Sequence, residues 1–181
     1  LQIAGDLPGA LAVLEGTETF GRAWLARYPA SDELAWIVAN SVYRQGDVLG
    51  GGGVNLSRLP EALAKYREAD RLYSVLRKKY PLSARYNAGT LFILQRIASA
   101  HEKMGNLAAG LAGTIEWRDR LAEVWKVDSN NLEVLRNYAM SYANMGTIQQ
   151  KMDRFADAEA SLNEAIRWGL EYRKRSPQAQ A

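Results

Sequence analysis

The chain has 181 residues, 48% hydrophobic and 24% charged, with no Cys and a single His, His101. A chain of this length can bury a core without staples, and its composition excludes a disulfide framework, thiolate metal sites, Cys-based catalysis and multi-His metal chemistry. With 23 basic and 20 acidic side chains the net charge is only +3. That is a weak argument for nucleic acid, and no cofactor, metal ion or nucleic-acid partner is expected.

In chain order, the sequence opens at Leu1 rather than Met, and its first residues lack a basic n-region and an apolar h-region. It reads as a piece of a longer protein without a signal peptide of its own. Apolar spacings of three and four then predict helices at about 7–27, 32–49, 58–79, 83–104, 107–127, 131–152 and 154–175. Examples are Leu63, Tyr66, Ala69, Leu72 or Tyr73, and Leu76, or Leu135, Tyr138, Ala139, Tyr142 and Met145. Pro8 and Pro60 suit first helical turns, and Pro-Ala-Ser, Pro-Leu-Ser and Asp-Ser-Asn supply stops and starts. No segment alternates as a strand would, so the chain is expected to be all-α. The longest apolar runs, such as Ala88–Leu94, fall far short of the roughly 18 residues a membrane span needs. No membrane span and a cytoplasmic location are expected.

The helices repeat. Arg58–Pro81 and Arg154–Pro177 share eight identities over 24 positions at a shift of 96, and the half shift of 48 lands on Asn106–Ser129. Leu7–Pro29 matches Leu59–Pro81 at a shift of 52, keeping Leu7, Pro8, Ala10, Leu11, Ala12, Tyr28 and Pro29. The four surplus residues coincide with Gly50–Gly53. The whole chain, 1–181, then divides into a half repeat at 7–29, a first repeat at 30–81 with the glycine insertion, a second at 82–129 and a third at 130–177. The glycine run is read as a flexible extension of a turn, because a P-loop needs a preceding strand and a Gly-Lys-Ser/Thr ending.

Leu135–Gly146, with its bulky, small, aromatic and Gly positions, resembles the first helix of a tetratricopeptide repeat (TPR). Ala158, Leu162 and Ala165 resemble the second helix and Pro177 the terminal proline, and Val38-Ala39, Val42 and Gly46-Asp47 carry the same signature earlier. A standard repeat has 34 residues. A period of 48 adds about two turns to each helix, like the extended-helix arrays found in bacterial signalling proteins. The resemblance implies a right-handed α-solenoid of about seven helices in antiparallel pairs, acting as a protein-protein interaction scaffold rather than an enzyme.

It also implies a ligand groove lined by the first helix of each pair. The outward positions would be Trp36, Asn40, Tyr43 and Arg44, then Ala88, Phe92, Gln95 and Arg96, then Arg136, Met140, Ala143 and Asn144. Arg offers forked donors to a carboxylate, Asn a clamp for peptide backbone, and the aromatic residues apolar anchors. A protein or peptide partner, possibly acidic, is expected there, with core packing of Trp36 and Phe92 as the plain alternative. Other features have structural readings. The basic stretch Arg71, Arg77, Lys78, Lys79, Arg85 and Arg96 suits helix C-termini, the five Trp suit packing between helices, and Glu171–Arg175 with a polar tail suits a solvated cap. A rival reading is a regulatory or self-association segment of a larger signalling enzyme, dimerising through Leu11, Leu14 and Phe20 of an exposed first helix.

Overall fold

The computed structural model describes residues 5–81 and 83–176, less the side chains of Ala84, Ala88 and Thr90; Pro177 lies outside these residues. All regular structure among them is helical: α1 Leu7–Arg27, α2 Asp32–Gly50, α3 Leu59–Lys79, α4 Ala84–Lys103, α5 Leu107–Val127, α6 Leu132–Lys151 and α7 Phe155–Arg175. Local chemistry sets these limits. Asp6, Ser31 and Asn131 accept the backbone N–H of Gly9, Leu34 and Val134 respectively, each capping a first turn. Pro8 and Pro60 stand in first turns, where a missing N–H costs nothing. Basic residues close α3 and α7, opposite the negative end of the helix dipole. No helix is long and apolar enough to cross a membrane among the described residues.

The chain forms two compact units, one ending at Met104 and one beginning at Gly105. In the first, α1 packs on α2, α2 on α3 and α3 on α4, with α2 also touching α4. Its core joins Val38, Ala39, Val42 and Leu49 of α2 to Ala62, Tyr66, Ala69 and Tyr73 of α3 and Ile93 of α4. In the second, α6 packs against both α5 and α7. Leu111, Met145 and Ile148 form one core cluster there, and Trp117, Leu121 and Leu135 are fully buried.

A glycine sets the helix approach in both units. A Cβ at Gly46 would stand 2.6 Å from the Tyr66 ring, and one at Gly146 2.7 Å from Leu162 Cγ. The partners are 20 and 16 residues on, and the difference matches the four-residue glycine run. That run is not a loose extension. Gly50 is the buried last residue of α2, Asn55 donates to the carbonyls of Gly51 and Gly53, and Leu56 and Arg58 donate backbone N–H to Val48 and Leu49. Gly53 carries a φ of +82°, which an L side chain rarely adopts. The turn is tied down because buried backbone groups must find partners.

Two other expectations change. Leu11 and Leu14 pack against Leu7, Ala10 and Val48, so of the three residues proposed for dimerisation only Phe20, 64% exposed, stands clear. Exposed Val13, Trp24 and Tyr28 accompany it instead. Trp24 is therefore not packed between helices as Trp117 is; it stacks on Tyr28 in the open, ring centroids 5.7 Å apart.

Gly46→Val forces a Cβ into Tyr66 and should cost about 1–3 kcal/mol as overpacking. Gly16→Ala, where nothing lies within 4 Å, should instead stabilise by about 0.5–1 kcal/mol through helix propensity. Urea midpoints of the two variants measure both effects.

Candidate functional site

The candidate residues of the first unit form stripes on two helices. On α2, Trp36, Asn40, Tyr43, Arg44 and Asp47 recur at helical spacing; on α4, Arg85, Phe92 and Arg96 do the same. Two contacts hold these stripes side by side. Arg96 Nε donates to Asp47 Oδ1 at 3.0 Å, and the Arg85 guanidinium lies 3.7 Å from the centroid of the Trp36 ring. Arg85 is itself fixed by two 2.8 Å bonds to the Glu33 carboxylate. Trp36 is thus not a free anchor: half-buried, it packs against the core cluster of the unit and lies beneath an arginine.

Asp47 is the hub, and the sequence reading passed over it. The Tyr66 hydroxyl donates to the same Oδ1 at 2.9 Å, and the Tyr43 and Tyr66 rings stand 6.0 Å apart. Burial first, then the Asp47 charge, pushes both phenols up, so they stay protonated donors. Burial also lifts Tyr73 to about 12. The glycine turn lies directly over this cluster: a Cβ at Gly51 would stand 2.8 Å from Tyr66 Oη, and one at Gly52 2.9 Å from Arg96 Nη1. Its signal in sequence was the Gly46-Asp47 pair, with Asp47 three turns beyond Trp36 on the same stripe.

This pairing alters the expected role of Arg96, whose guanidinium already holds a carboxylate of its own chain. Arg44 remains exposed. Asn40 and Gln95 are half-buried without a hydrogen bond of their own among the described residues. Phe92 is half-buried, and the side chain of Ala88 lies outside the described residues. In the second unit, Arg136 and Met140 of α6 are exposed, and Ala143 and Asn144 are half-buried. Beside them, Asn137 is buried, and its Nδ2 has no partner among the described residues; the sequence reading did not select it.

Three of the six residues of the basic stretch are matched by acids of α2 lying some 50 residues away, and Arg77 by Asp70 of its own helix. Lys79 Nζ donates to Asp32 at 2.6 Å, Tyr80 donates to the same carboxylate, and Arg85 and Arg96 take Glu33 and Asp47. His101 is half-buried and accepts from Arg67 at Nε2, 3.1 Å away; burial and that cation both hold it below its ordinary pKa, hence neutral. Among the described residues no three acidic or His side chains could share a metal ion.

The opposite side of α2 is locked by Glu18 of α1. Its carboxylate accepts from buried Gln45 at 2.7 Å, Arg22 at 2.8 Å and Lys65 at 3.3 Å, joining three helices. No protein-family model matches the chain, and no curated protein is significantly similar to it.

Burial raises the pKa of Glu18, but the bonds from Gln45, Arg22 and Lys65 outweigh it and leave the group below its ordinary value. A depressed folded pKa gives stability that is present above the unfolded value, about 4.3, and lost as pH falls through the folded one. Glu18→Gln should therefore lower stability at pH 7 and flatten its acid limb between about pH 5 and 3, measured by thermal unfolding across that range.

Proposed function

We propose that the chain is a non-enzymatic, TPR-like interaction module, a right-handed solenoid of antiparallel helix pairs, that binds a peptide or partner protein in the cytoplasm. The face shared by α2 and α4 is assigned as the binding face. One observation carries this reading. Asn40 of α2 and Gln95 of α4 are half-buried without a side-chain hydrogen bond among the described residues, Arg44 one turn beyond Asn40 is exposed, and the same two helices are held together by the Asp47–Arg96 pair and by Arg85, paired to Glu33, over Trp36. Amides in that state are suited to a peptide backbone, and Arg44 to an acidic side chain or free carboxylate. The pinned Arg85 and Arg96 then shape the face instead of binding charge. The half-buried Tyr43 and Phe92 offer apolar contact between them.

A second reading is self-association, as part of a larger signalling enzyme. It is favoured by the stripe of Val13, Phe20, Trp24 and Tyr28 left exposed along α1.

For the first reading, Arg44→Ala should weaken binding of an acidic peptide selected against the protein at least tenfold, in line with about 1.5–3 kcal/mol for a charged hydrogen bond. Calorimetric titration measures it. Unchanged affinity in Arg44→Ala and in an Asn40→Ala, Gln95→Ala variant would remove the face from consideration. A dimer in light scattering that Phe20→Asp converts to a monomer would favour the second reading.

A further inference from the structure

His101 is the single His of the chain, and with no Cys present no other side chain has an ordinary pKa between about pH 5 and 8. It stands in the last turn of α4, against Arg67 of α3. A guanidinium only donates, so the 3.1 Å contact from Arg67 Nη2 to the ring Nε2 needs a lone pair on that nitrogen. The neutral ring then carries its proton on Nδ1, which is buried and has no partner among the described residues.

Protonation at Nε2 breaks this contact in two ways. It takes the lone pair that Arg67 uses, and it sets two cations 3.1 Å apart. An imidazolium there needs a free acid, and the helices packed on α4, α2 and α3, offer none. Their acids are all paired: Asp32 with Lys79, Glu33 with Arg85, Asp47 with Arg96, Glu61 with Arg58, Glu68 with Arg22 and Asp70 with Arg77. Arg71, one turn beyond Arg67 on α3, adds a further exposed cation. On α4 itself, Glu102 and Lys103 follow the ring as one charge of each sign.

We propose that His101 and Arg67 form a proton-operated latch between α3 and α4, closed while the ring is neutral and opened by its protonation. His101 lies five residues beyond Arg96, so opening the latch loosens the end of α4 that carries Gln95 and Arg96. The device does not depend on what the α2–α4 face binds. Burial first, then the Arg67 charge, holds the ring below its ordinary value in the folded chain. The unfolded chain therefore takes up the proton first. Stability is lost as pH falls below about 6.5, until the folded ring titrates as well.

With one His, the ring Cε1 proton gives a single NMR resonance whose titration reads the latch in the intact protein. Its midpoint is expected below the ordinary value of about 6.5. Arg67→Gln should raise it, because an amide can donate to the neutral ring or accept from the charged one, and Arg67→Glu should raise it further. The thermal midpoint of the parent should fall between about pH 7.5 and 5.5, the range in which an ordinary His titrates. That fall should shrink by at least half in both Arg67 variants and be lost in His101→Gln. Amide exchange of residues 97–103, corrected for its intrinsic pH dependence, should speed several-fold over the same range in the parent and not in Arg67→Glu. Arg67 is exposed, and circular dichroism of its variants at the upper pH should match the parent. A ring midpoint at or above the ordinary value, or one that Arg67→Gln leaves unmoved, overturns the proposal. So does a thermal fall retained in His101→Gln, or exchange of residues 97–103 that acid leaves unchanged.

Discussion

The structure of the first unit depends on one close approach, the backbone of α2 at Gly46 against the ring of Tyr66. A helix hairpin cannot bury its apolar stripe unless its helices come near enough to exclude water, and a missing Cβ facing an aromatic ring provides that distance. The next residue, Asp47, is thereby brought within 2.9 Å of the Tyr66 hydroxyl. A carboxylate so placed must be matched, and Arg96 of α4 matches it. That bond lays α4 beside α2, and the Arg85–Trp36 stack lies along the same line. The face proposed for ligand is thus a consequence of core packing one turn beneath it.

The same chain of contacts limits the chemistry of that face. Two of its arginines are committed to Asp47 and Glu33, so their charge is spent on geometry. What is left to meet a ligand is Arg44, two amides without partners and two half-buried rings. Recognition on these terms rests on shape and backbone hydrogen bonding, with a single cation for orientation. The second unit repeats the glycine fit with an aliphatic partner, Gly146 on Leu162, and places no acid at the equivalent of Asp47, where Thr147 stands.

Helix positions were legible in the sequence because they follow from local physics. Apolar period, the Pro-Ala-Ser and Asp-Ser-Asn breaks, and Pro8 and Pro60 fix ends within one residue of those observed. Partnerships were not legible, because they join residues nearly one repeat apart. Arg96 read as an open cation because its acid lies 49 positions upstream, and the basic stretch read as a patch because Asp32 and Glu33 lie on another helix. Leu11 and Leu14 read as exposed because periodicity gives a helix an apolar face without saying which neighbour covers it; Val48 does. Of the candidate site, the stripe was visible and its hub, Asp47, was not, since an acid on a helix reads as solvated until its partners are placed.

The central claim is that the α2–α4 face takes the partner. Hydrogen–deuterium exchange of the intact protein, with and without a saturating peptide selected against it, tests this most directly. Slowed exchange confined to the segments around residues 36–47 and 92–96 is the result the account predicts. Protection appearing on α1 or α7, with those segments unchanged, would contradict it.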